Sequence, residues 1–171
     1  MAFDRGMRSI LPALLVLLLS APVSAFAQAS AAPAIRVTGE APTHLELSLA
    51  DLAAFRRQTV RVIDDHGAQV EYGGVPVAQI LEKAGAPLGK ELKGPNLALG
   101  VVATAPDGYR VLFSLAEFDD AFSDRVIILA DRRDGKPLDS REGPLRLIVP
   151  GDKRHARWIR GVATLEVLRL R

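Results

Sequence analysis

The residues best suited to chemistry crowd one short stretch: Lys153, Arg154, His155, Arg157 and Trp158, just after the turn pair Pro150-Gly151. Three fixed cations, a titratable imidazole and the chain's one tryptophan suit a planar ligand that is anionic or polar. Cations pair with phosphate or carboxylate, and an indole can stack on a ring. The competing reading is a solvated basic loop beside a core tryptophan, since charge runs commonly mark surface. Two more residues join the list. Arg146 sits inside the apolar run Leu145 to Val149, where an unpaired charge is costly, so it either faces outward or meets an anion. Tyr109 follows Asp107-Gly108 and is either a ring contact or a half-exposed strand residue.

Other reaction centres find no support. There is no nucleophile elbow and no glycine-rich phosphate loop. His44, His66 and His155 show no metal-ligand spacing. The acidic pairs Asp64-Asp65 and Asp119-Asp120, and Asp131, lie at turns or helix ends, where capping explains them better than proton transfer.

The elements that must position these groups read as follows. Ile35–Thr38 and His44–Leu49 are expected strands, and Ser48 or Asp51 caps a short helix to Phe55. Thr59–Ile63 and Gln69–Tyr72 form a hairpin around Asp64-Asp65-His66-Gly67, with Gly73-Gly74 breaking the second strand. Val75–Ala84 has helical apolar spacing, with Pro76 in its first turn and Gly85 as its stop. Leu97–Thr104 reads as a buried strand, and Tyr109–Phe113 returns antiparallel to it. Ser114-x-x-Glu117 is a capping box for a short helix to Phe122. Arg125–Ala130 and Leu145–Val149 are strands, Asp131–Lys136 is a charged turn, and Trp158–Leu170 is mostly strand to the end. The sum is α+β, rich in strands joined mainly as local hairpins, with a few short helices.

The first residues look like a leader rather than part of the fold. Arg5 and Arg8 precede the apolar run Ile10–Leu19, and small residues follow at Val23-Ser24-Ala25 and Ala25-Phe26-Ala27. This is the pattern of a secretory signal over residues 1–27, leaving residues 28–171 as one domain without a stable membrane anchor. Arg5 and Arg8 are not a twin-arginine pair, which points to the general export route and a periplasmic protein. The 171 residues contain no cysteine, and both methionines, Met1 and Met7, fall in the leader. The domain therefore offers a metal neither thiolate nor thioether. The formal net charge of +2 gives no broad field, and nucleic acid is not an expected partner.

One ordered set of motifs carries a family resemblance. It runs Tyr72-x-Gly74-Val75-Pro76-Val77-x-x-Ile80-Leu81-x-x-Ala84-Gly85, then Asp107-Gly108-Tyr109, Ile127-x-Leu129-Ala130 and Asp134-Gly135-Lys136-Pro137-Leu138. It closes with Gly143-Pro144-Leu145-Arg146-Leu147-Ile148-Val149-Pro150-Gly151 and Arg157-Trp158. In these residues the chain resembles the molybdopterin-binding domain of sulfite-oxidase-type oxidoreductases. The resemblance implies layered β-sheets with a β-grasp-like element and a pterin pocket. It places Arg157 and Trp158 near the pterin and its phosphate, with Lys153 and Arg154 beside them. Catalytic members hold molybdenum through the pterin dithiolene and one cysteine thiolate, a soft ligand that this chain lacks. The resemblance is therefore to small exported members that bind a pterin without metal. Some of these serve membrane signalling proteins, including cyclic-di-GMP enzymes with periplasmic sensor regions. A cysteine-less molybdopterin oxidoreductase or subunit, and a pterin-free interaction module using the basic loop, stand as the alternatives.

Overall fold

The structure is a computed structural model that describes residues 34–170. The expected leader and residues 28–33 of the expected domain lie outside the described residues. Among the described residues, ten strands form one mixed and one antiparallel sheet, with two short helices and four 3₁₀ turns between them.

The first sheet has the order β2 (Leu45–Leu47), β1 (Ile35–Gly39), β10 (Thr164–Arg169), β5 (Leu99–Thr104), β6 (Arg110–Ser114). Its centre joins the two ends of the described chain. β1 runs parallel to β10, with Arg36 opposite Thr164, and β10 runs antiparallel to β5. This pairing is not among the local hairpins expected from sequence. The second sheet has the order β3 (Gln58–Ile63), β4 (Gln69–Pro76), β7 (Ile128–Arg133), β8 (Lys136–Pro137), and β9 (Arg146–Ile148) also pairs with β7. One apolar core joins Ile35, Val37, Val101, Phe113 and Leu165 of the first sheet to Tyr72, Val75, Leu129 and Leu147 of the second.

Helix α1 (Leu49–Ala53) starts at Ser48, whose hydroxyl accepts the Asp51 N–H at 3.2 Å while the Asp51 carboxylate accepts the Ser48 N–H at 2.8 Å. Helix α2 (Val77–Lys83) buries Val77, Ile80 and Leu81. It stops as expected: Gly85 takes φ 80°, its N–H reaches Glu82 O at 2.9 Å, and the Ala86 N–H reaches Leu81 O at 2.9 Å. Pro76 stands one place before the helix, as its cap, rather than in the first turn.

Three expectations need correction. Gly73-Gly74 does not break β4; the strand runs on to Pro76 with a register shift between the two glycines. A Cβ on Gly74 would lie 2.1 Å from Leu129 O, so glycine serves a close backbone approach to β7. The strand expected at Arg125–Ala130 starts at Ile128 and continues through Arg133, so Asp131–Lys136 is not all turn. The reversal is Asp134-Gly135, at φ 49° and 75°, and it leaves Arg132 and Arg133 on the strand. Trp158–Ala163 is not strand either; apart from one bridge between Arg146 and Arg160, β10 begins at Thr164.

Candidate functional site

β9 ends at the Pro150-Gly151 turn, where Gly151 takes φ 87°. The chain then makes a single 3₁₀ turn, His155–Arg157, and enters the interior at Trp158. The indole is 3% exposed, and its Nε1–H donates to Val149 O at 3.0 Å. The turn between β3 and β4 supplies Asp64 and Asp65 to the same place. Asp64 builds that turn, its carboxylate accepting the N–H groups of His66 and Ala68 at 2.9 Å each.

Arg146 is the centre of the arrangement. It is 4% exposed, so it faces inward. Its Nη1 donates to the Tyr72 hydroxyl at 3.0 Å and to Glu142. The guanidinium lies 5.6 Å from the Tyr72 ring centroid and 5.7 Å from that of Trp158, which makes an edge contact with Tyr72. Arg133 completes the cluster by donating to Glu142 at 3.3 Å and to Asp64 at 2.7 Å. Two guanidinium groups thus meet two carboxylates. Burial, more than any neighbour, raises the Tyr72 phenol above its ordinary value. The Ala68 N–H, then those of His66 and the Arg133 guanidinium, hold the Asp64 carboxyl below its ordinary value against the opposing effect of burial.

One donor is unmet. Among the described residues, Arg146 Nε is the one buried side-chain nitrogen or oxygen without a hydrogen-bond partner. Leaving such a group unpaired is costly, and it marks where an acceptor belongs. Arg146 borders a cavity of about 250 Å³ together with Tyr109, Asp65, Asp107, His155 and Arg160. Larger cavities of about 550 and 420 Å³ lie elsewhere. Arg57 pairs with Asp131 in the first, and buried Asp119 accepts the Gly89 and Ala121 N–H groups in the second.

The other expected site residues divide. Tyr109 lies one residue before β6 rather than within it; it is 49% exposed, lines the cavity, and its hydroxyl donates to Ala156 O at 2.8 Å. His155 stacks on Trp158, with ring centroids 3.7 Å apart and 19° between planes, and its Nδ1 lies 2.6 Å from Asp65. The indole therefore does not present the open stacking face that the sequence suggests. Lys153 and Arg154 are exposed, and Lys153 borders a separate cavity of about 330 Å³. Arg157 turns away from both cavities. Its Nε and Nη2 bond to Asp152 at 2.8 and 2.7 Å and its Nη1 to Glu117 at 2.8 Å. Its guanidinium also lies 5.0 Å from the Phe113 ring centroid. The Asp152 bonds, foremost, raise its already high pKa further, so it is a permanent cation already matched by anions.

Sequence reasoning missed Arg133, Glu142, Asp65 and Arg160 as members of this cluster. Arg133 was hidden by the misplaced end of β7. Glu142 stands four residues before buried Arg146, but no secondary-structure pattern points from one to the other.

Comparison with curated protein sequences found no match. Among solved structures, the fold resembles the sulfane dehydrogenase SoxCD of Paracoccus pantotrophus, with a TM-score of 0.61 at 20% identity. The likeness covers 78% of this chain and 37% of the SoxCD chain, so the chain spans well under half of that neighbour. The model of the oxidoreductase molybdopterin binding domain matches residues 27–169, which contain every strand of the two sheets. With that span matched, and the two sheets and few short helices of the sulfite-oxidase fold in place, this chain belongs to the oxidoreductase molybdopterin binding domain family.

Proposed function

We propose that this chain is an exported pterin-binding protein that holds its ligand without redox turnover and presents it to a membrane signalling partner. The observation that carries the reading is Arg146: a buried guanidinium with one unmet N–H, bordering a cavity beside the indole. A pterin carbonyl or ring nitrogen is the kind of acceptor that suits an arginine bordering this cavity. Asp65 and Asp107 suit the amino and N–H edge of the same heterocycle, and exposed Arg160 suits a phosphate.

The fit is to the organic part of the cofactor. Molybdopterin, when bound, supplies a dithiolene that holds molybdenum, and the thiolate that completes such a centre is absent from this chain. Among the described residues no three His, Asp or Glu side chains converge in its place. The N-terminal pattern of basic residues, apolar run and small residues supports export to the periplasm.

A second reading, a molybdopterin-dependent oxidoreductase or one of its subunits, draws on the family itself and on the dehydrogenase fold neighbour. One experiment separates the two. Protein purified from its own host is denatured, and the released small molecules are analysed by fluorescence-detected chromatography and metal mass spectrometry. Pterin without molybdenum is the expected result. Stoichiometric molybdenum with the pterin makes the chain an enzyme component. Absence of any pterin, in the extract and on titration, leaves the basic loop as a protein-docking surface.

A further inference from the structure

His155 occupies the place on Trp158 that a ligand ring would take. The imidazole lies flat on the indole at 3.7 Å. Its outer edge is held by Asp65, and the imidazole side chain is 12% exposed against 54% for that carboxylate. The stack is therefore latched from the rim, not locked in the core.

Two cavities meet at this stack. The one of about 250 Å³ holds Arg146, Tyr109 and Arg160; the one of about 330 Å³ holds Arg61, Gln69 and Lys153. His155 and Trp158 are the two residues that line both. Trp158 cannot move aside, since it is buried and bonded to Val149 O. The loop backbone is also fastened: Arg157 ties it to Asp152 and Glu117, and the Tyr109 hydroxyl ties it at Ala156 O. Rotation of the imidazole side chain is the movement left free.

We infer that His155 is a gate displaced by the ligand: it stands in for the pterin ring on Trp158 and swings away, releasing Asp65, when the ring enters. This rests on the pterin reading above. Displacement joins the two cavities into one cleft with the indole at its middle. A ring seated there has Arg146 on one side and Lys153 and Arg61 on the other. The latched state lowers apparent affinity by the fraction of molecules in which the imidazole stays down.

The test is equilibrium dialysis of the full chain against neopterin, read by the pterin's own fluorescence, for wild type, His155→Ala and Asp65→Asn. Trp158, the one tryptophan, reports the stack directly through its emission. Both variants are expected to bind neopterin more tightly, His155→Ala by about tenfold and Asp65→Asn by less. Unliganded His155→Ala is expected to show altered indole emission as the imidazole leaves the ring. Equal or weaker binding by His155→Ala, with wild-type binding intact, overturns the gate, and weaker binding makes His155 a ligand contact. Should His155→Ala not fold, equal or weaker binding by Asp65→Asn overturns the gate in its place. No neopterin binding by any of the three overturns the gate and the pterin reading together.

Discussion

Arg146 and Arg157 flank the same Pro150-Gly151 turn, yet their surroundings differ. Arg157 is part-exposed, and each of its three nitrogens bonds to a carboxylate, Asp152 or Glu117. Its guanidinium also lies over the Phe113 ring. Arg146 is buried against Tyr72 and Trp158, and its Nε has no partner. The first arginine fastens a loop. The second maintains a charge in the interior with one bond still to make. Exposure and charge alone would have ranked the exposed one as the ligand contact; hydrogen-bond accounting reverses the order.

The difference can be tested from both sides. The largest effect is expected for Glu142→Ala, which removes the carboxylate that buried Arg146 shares with Arg133. Removing one partner of a buried pair costs about 3–5 kcal/mol, so the denaturant midpoint should fall sharply. A midpoint near that of wild type would mean that Arg146 does not depend on Glu142.

A smaller loss, about 1–2 kcal/mol, is expected for Arg157→Ala, because its charge-assisted bonds lie partly in solvent. Neopterin affinity should stay within about twofold of wild type, since Arg157 borders neither cavity. If the folded variant loses neopterin, the contrast between the two arginines collapses.

The mildest perturbation is acid. Asp64 has a carboxyl pKa lower in the folded chain than its ordinary 3.8, so its ionised form favours folding. That contribution is complete above pH 3.8 and is lost as pH falls through the depressed folded value. Protonation also weakens the Asp64 pairing with Arg133, which keeps Glu142. Unfolding midpoints measured between neutral pH and pH 3 should decline more for wild type than for Asp64→Asn. Parallel curves would remove Asp64 from this role.

Much of the local structure was legible because its causes are local. Ser48 with Asp51, and Ser114 with Glu117, are capping boxes by type and spacing, and both form. Gly85 ends α2 because only a residue at ease with positive φ closes that turn. Reading failed where a residue answers to a distant neighbour. Gly74 looked like a breaker, but it is small because Leu129 O approaches it from β7. Arg132 and Arg133 looked like turn residues because charge outweighed the Asp134-Gly135 signal that marks the true reversal.

The sequence by itself determined the elements, the family resemblance, the absence of a thiolate and the basic stretch after Pro150-Gly151. These depend on residue type and on spacing along the chain. Only the tertiary structure decided that Arg157 is spent on Asp152 and Glu117, that Arg146 faces inward with a donor unmet, and that His155 covers the indole. Those outcomes rest on Glu117, Tyr72, Asp64 and Asp65, which reach the site from other strands and turns. A hydrogen bond is decided by distance in space, and the sequence records only distance along the chain.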